Sequence, residues 1–86
     1  MAIWHIECDP KVEFNLTGCD VISCREWLGS YVLLIDCDDQ AAITVRSNGG
    51  IRLMQRPKEG DVFVDGMGES VVITDGGRSW HALEEK

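Results

Sequence analysis

What this chain lacks narrows its class before any pattern is read. No apolar run reaches the length of a membrane-spanning helix; the longest, residues 31–35, has the length of a strand. The opening Met1-Ala2-Ile3-Trp4-His5 has no basic region followed by an apolar stretch. No export signal is therefore expected, and the cytoplasm is the expected compartment. Basic residues are scarce: 8 Lys and Arg stand against 15 Asp and Glu, giving a formal charge of −7. Phosphate backbones and anionic bilayers repel such a chain. Direct nucleic-acid binding and membrane association are not expected. A basic partner fits better, as does imitation of nucleic acid by the carboxylates of Glu7, Glu13, Asp36, Asp38 and Asp39, provided that they form one patch.

Catalytic signatures are missing as well. Two His and several Ser occur, but no nucleophile elbow or comparable motif surrounds them. A chain of 86 residues also offers little room for an enclosed substrate cleft. The expectation is a protein that is not an enzyme and carries no cofactor. Cys24, at the first turn of a short helix, is the one thiol that a helix terminus would activate.

Closely spaced cysteine pairs are absent too. Cys8, Cys19, Cys24 and Cys37 are separated by ten, four and twelve residues, whereas zinc sites are built from two close pairs. Without export the thiols are expected reduced and packed as small hydrophobes. A mixed site drawn from His5, Cys8, Cys37 and His81 has the right ligand types. Alternation, however, sets His5 and Cys8 on opposite faces of one strand. The run Asp36-Cys37-Asp38-Asp39 reads as a turn, in which Asp side chains accept local backbone hydrogen bonds. No metal is expected.

What is present is a β pattern from end to end, with no repeat, linker or low-complexity segment, and hence a single domain over residues 1–86. Trp4, Ile6 and Cys8 alternate with Ile3, His5 and Glu7. Val12, Phe14 and Leu16 alternate with polar neighbours. Residues 31–35 are apolar on both faces, which predicts a central strand covered on both sides. Further strands are predicted over residues 42–46, 51–55, 61–65, 70–74 and 78–82, joined by glycine turns. One short helix is predicted near residues 24–28. Ser23 and Glu26 fit a capping box, Ile22 and Trp27 a hydrophobic staple, and Gly29 a helix stop. The fold class is all-β: a small antiparallel barrel or sandwich of about 7–8 short strands.

Turn lengths set the predicted registers. A three-residue loop at residues 48–50 keeps apolar with apolar and brings Arg46 opposite Arg52. A four-residue loop at residues 66–69 sets Val64 opposite Val71, Val62 opposite Ile73 and Phe63 opposite Val72. A two-residue turn at Gly76-Gly77 sets Ile73 opposite Trp80 and Val72 opposite His81. Trp4, Trp27 and Trp80 are then expected in the core.

Two binding candidates follow. Arg46, Arg52 and Arg56, with Met54 between the last two, would share an outer face. Like charges opposite one another are unfavourable in a sheet, and guanidinium forks suit an acidic partner or an anion. Met67, between two glycines, would be an exposed, adaptable contact. The functional expectation is a small acidic protein-binding module: an effector, inhibitor or adaptor acting on a larger protein, in one version by occupying its nucleic-acid-binding surface. The alternatives are a structural protein that assembles into homo-oligomers, and a metal- or thiol-dependent activity using Cys, His and Asp.

Overall fold

A computed structural model of the chain describes residues 2–11, 18–37 and 50–83. Within them run seven strands: β1 (Ile3–Cys8), β2 (Asp20–Trp27), β3 (Ser30–Asp36), β4 (Ile51–Gln55), β5 (Val62–Val64), β6 (Ser70–Thr74) and β7 (Ser79–Leu83). They form two antiparallel sheets, one ordered β2-β3-β1-β4 and the other β5-β6-β7. The protein is all-β. Neither sheet closes on itself among the described residues, so the architecture there is two packed layers and not a barrel.

The larger sheet carries core on both faces. Ile6, Cys8, Leu33, Ile35 and Cys37 form one buried cluster, with Trp4, Tyr31, Ile51 and Met54 packed against it. On the opposite face, Ile3 and Leu34 meet Phe63, Val71 and Ile73 of the smaller sheet. This second cluster joins the layers, and burying each large apolar side chain in it stabilises by about 1.5–3 kcal/mol. β3 lies between β2 and β1 and supplies both clusters, which is why residues 31–35 carry no polar alternation.

The helix expected near residues 24–28 does not form. Residues 20–27 instead pair with β3 along their length. A helix of one turn and a half closes too few hydrogen bonds to persist, whereas the β3 edge satisfies the whole segment. Leu28 (φ 51°) and Gly29 (φ 78°) make a tight hairpin turn, so the left-handed freedom of Gly29 ends a strand and not a helix. A bulge hid the strand: Val21 pairs with Ile35 and Ser23 with Leu34, leaving Ile22 as an extra residue that breaks the alternation.

Further expectations shift. β5 covers only Val62–Val64, and its register differs by one residue: Val62 faces Val72, Phe63 faces Val71, and Val64 faces Ser70. The connection is five residues long, 65–69, where four were expected. The observed pairing collects Phe63, Val71 and Ile73 on the buried side and leaves Val62, Val64 and Val72 on the other, where Val62 is exposed. Trp27 and Trp80 are exposed, contrary to the expected core placement, because each stands on an edge strand. Trp4 is half-buried, its indole N–H donating to the Cys37 carbonyl at 3.1 Å.

The last hairpin has the expected register, Ile73 opposite Trp80 and Val72 opposite His81. Gly76 and Gly77 both take positive φ, 68° and 97°, inside a single 3₁₀ turn at Asp75–Gly77. The strands predicted at residues 12–17 and 42–46, the loop paired with the latter, and Arg46 itself lie outside the described residues.

Candidate functional site

A groove of about 460 Å³ lies between β2 and β7, which is the edge strand of its sheet among the described residues. Its apolar lining comes from Ile22, Val71, Trp80, Ala82 and Leu83. Asp65 and Glu69 stand on its rim. Ile22 reaches it because the β2 bulge turns this residue toward the second cluster. Trp80 and Ala82 share the buried side of Ile73 and Val71, their partners in the ladder, but no further strand among the described residues covers them.

The backbone of β7 is open at the same place. Ile73 N–H donates to Asp61 O (2.9 Å) and Ile73 O accepts from Gly60 N–H (2.8 Å), so both peptide groups of Ile73 turn toward the β5 side. Trp80, opposite Ile73, is therefore at a non-hydrogen-bonded position of the β6–β7 ladder. Its N–H and C=O point away from β6, and those of Ala82, two residues on, do the same. The edge offers two donors and two acceptors beside the apolar groove.

The loop at residues 65–69 forms one end of the groove and is closely tied. Asp65 N–H donates to Glu69 O (2.8 Å) and Gly68 N–H to Asp65 O (3.1 Å). The Asp65 carboxylate accepts from the N–H groups of Met67 (2.8 Å) and Glu69 (3.0 Å). Gly66 N–H donates to Cys24 O on β2 (2.8 Å). The Met67 side chain, 89 % exposed, thus projects from a fixed backbone. Of the residues singled out in the sequence, Met67 alone belongs to this region.

The arginine stripe does not assemble among the described residues. Cys8 pairs with Ile51 and Glu7 with Leu53, so Arg52 is the extra residue of a bulge. Past the bulge the faces are exchanged: Met54 lies opposite Ile6 and packs on the first cluster, where an outward position was expected. Arg52 crosses the end of β1 to donate to Ser30 Oγ (2.7 Å) and lies 3.8 Å from Asp9. Arg56 lies beyond β4, its guanidinium 5.2 Å from the Trp4 ring centre. The two arginines are carried to opposite ends of β1, with Arg46 outside the described residues.

A second, shallower groove of about 260 Å³ lies between β5 and the larger sheet. In it His5 Nε2 is 3.1 Å from Glu7 Oε2, the His5 ring meets Phe63 edge-on at 4.9 Å, and the Arg25 guanidinium stacks over Trp27 at 4.2 Å. The helix terminus that could have activated Cys24 does not form. That residue sits on an exposed strand with no helix terminus beside it, and burial of its sulfur pushes the thiol up from its ordinary value. Burial, then Cys24 and Asp9, push Cys8 up against the opposing pull of Arg52.

Among the described residues no three His, Cys, Asp or Glu converge as a metal cluster, and no helix is long and apolar enough to cross a membrane. Of the five carboxylates considered for a nucleic-acid-like patch, Glu7 and Asp36 are described; they stand four residues apart along the β1–β3 ladder. Compared with known family models, curated proteins and solved structures, the chain matches none. The β7 edge escaped sequence reasoning because Trp80 was assigned to the core. The signal was available: the last strand of a meander has one sequential neighbour, so its alternate apolar residues are covered only if another layer extends past it.

Proposed function

We propose that this chain is a small, acidic, non-enzymatic protein-binding module, an effector, inhibitor or adaptor, that receives an extended segment of a larger protein on the β7 edge. The observation that carries the reading is the coincidence of free backbone groups at Trp80 and Ala82 with the apolar groove that their side chains line. Strand addition uses these two features together, main-chain bonds for affinity and pockets for alternate side chains. The rim carboxylates of Asp65 and Glu69 and the net charge of −7 specify the occupant: an apolar segment flanked by Lys or Arg.

The test is selection of displayed random peptides on the native protein, followed by amide-shift mapping with one selected peptide. Selected sequences are expected to alternate apolar residues, to carry Lys or Arg, and to shift Trp80 and Ala82. Ala82→Pro removes an edge donor without removing a ladder bond. It is expected to weaken binding at least about tenfold, equivalent to 1.4 kcal/mol. Glu69→Lys is expected to weaken it in a salt-dependent way. Peptides that bind elsewhere, or that keep their affinity for both variants, overturn the reading. A concentration-dependent dimer by light scattering, abolished by Ala82→Pro, would assign the edge to a second copy, which is the assembly alternative.

A further inference from the structure

The first core cluster contains two cysteines that the ladder sets face to face. The β2–β3 register runs Val21 against Ile35 and Asp20 against Asp36. One step further places Cys19 opposite Cys37. Both pack in the same cluster, Cys37 buried and Cys19 half-buried.

Their spacing follows from the direction of the Cys37 backbone. Its N–H donates to Ala2 O at 2.8 Å, and its carbonyl accepts from Trp4 Nε1 at 3.1 Å. Both peptide groups of Cys37 thus turn toward β1, leaving the β2 side without a ladder bond. Residues opposed at such a position have Cα atoms about 4.5 Å apart and side chains closer together than at bonded positions. Disulfides accept Cα separations of about 4.4–6.8 Å. The remaining two cysteines are placed differently. β3 runs between β1 and β2, so Cys8 and Cys24 lie two strand spacings apart, about 9.6 Å, which no disulfide spans.

The geometry points to Cys19 and Cys37 as a dithiol site that closes to a cross-strand disulfide by exchange with a low-molecular-weight disulfide such as oxidised glutathione. The Cys19 thiol, the more exposed of the two, loses its proton to solvent, and its sulfur attacks one glutathione sulfur. A mixed disulfide forms and one glutathione thiolate leaves. Cys37 Sγ, deprotonated in turn, attacks Cys19 Sγ; the intramolecular bond forms and the second glutathione thiolate is expelled. Two protein thiols are oxidised, one glutathione disulfide is reduced, and the two protons end on the glutathione thiols. The bond ties the open end of the β2–β3 hairpin, opposite its Leu28-Gly29 turn.

The experiment equilibrates the native protein with glutathione buffers of increasing oxidised fraction and reads intact mass, thiol titre and disulfide-linked peptides, with cleavage before Asp20 separating Cys19 from Cys24. The expected product has lost two hydrogens, titrates two thiols in place of four, and links Cys19 to Cys37. Its melting temperature rises by roughly 10–25 °C, the effect of closing a loop of this length in a domain of this size. A Cys8→Ser/Cys24→Ser variant is expected to form the same link, and Cys19→Ser to lose it. Because Cys37 is buried, Cys19→Ser, checked for its far-ultraviolet spectrum, is the deciding variant and Cys37→Ser the supporting one. A product carrying glutathione without an internal bond, a link through Cys8 or Cys24, or persistence of all four thiols at every buffer ratio overturns the assignment.

Discussion

Gly77 passes so close to Pro57 that a β-carbon built on it would stand 2.6 Å from the Pro57 carbonyl oxygen. Its neighbour Gly76 has nothing within 4 Å of the same position, and both residues have positive φ. The pair separates two costs. Gly76→Ala meets only the left-handed backbone and is expected to destabilise by about 1–2 kcal/mol. Gly77→Ala meets that penalty and the carbonyl contact, and is expected to cost about 1–3 kcal/mol more as the β6–β7 turn is pushed off the segment at Pro57. Urea midpoints of the two variants check this; equal midpoints would show that the approach to Pro57 carries no energy.

Leu28 is the reverse case, an ordinary residue in a conformation suited to others. It is 87 % exposed with φ 51°, in a two-residue turn before Gly29. The left-handed conformation costs a branched L-residue about 1–2 kcal/mol, and Asn less. Asn-Gly is the preferred pair for such a turn. Leu28→Asn is therefore expected to stabilise by about 0.5–1 kcal/mol, seen as a higher urea midpoint with an unchanged slope. A loss of stability would mean that the Leu28 side chain has an apolar contact in solution.

The strands legible in the sequence were those with undisturbed period two or no polar residue at all. β1, β3 and β6 carry such patterns, and the Gly76-Gly77 turn set the β6–β7 register because a two-residue turn leaves one choice. β2 was illegible because the bulge at Ile22 shifts its period midway, and because Ser23, Glu26 and Gly29 imitate helix caps when read locally. The bulge at Arg52 upset the expected face pattern of β4 in the same way. It exchanged the faces of β4 and sent Met54 inward. The β5–β6 register failed by one residue because a five-residue loop carries no stronger glycine signal than a four-residue one. Met67 was legible from its flanking glycines alone, but the groove beside its loop depends on two sheets and an edge order that no local pattern contains.

Thiol chemistry supplies a pH-dependent prediction. Burial raises both Cys8 and Cys24, so at neutral pH each holds less thiolate than an ordinary thiol. Alkylation of Cys24, the exposed one, is expected to be slower at pH 7.5 than that of a cysteine peptide, the gap closing as pH rises. The sign for stability follows from linkage. The unfolded thiols release protons near the ordinary value of about 8.5, before the folded ones do. The stabilisation is thus complete below that pH and is lost as pH rises through the raised folded values. Urea midpoints are expected to fall above about pH 8.5 and to fall less in Cys8→Ser/Cys24→Ser. Identical alkaline profiles would remove the thiols as the cause.

Arg52 and Met54 exchange the importance that simple alternation would assign them. Arg52 is exposed and makes one short hydrogen bond to Ser30 and a 3.8 Å approach to Asp9. Exposed pairs of this kind contribute at most about 1 kcal/mol, and salt weakens them. Met54 is half-buried against the cluster around Ile6. Truncating a buried Met to Ala costs about 2–5 kcal/mol, and partial exposure places Met54→Ala at the lower end of that range. Arg52→Ala is therefore expected to destabilise several-fold less than Met54→Ala, and to leave the affinity of peptides selected on the β7 edge unchanged, since β4 lies at the far side of the larger sheet from β2. A peptide whose binding collapses with Arg52→Ala while Met54→Ala leaves stability intact would restore an outward Arg52–Met54 face and remove the bulge from its place in the fold.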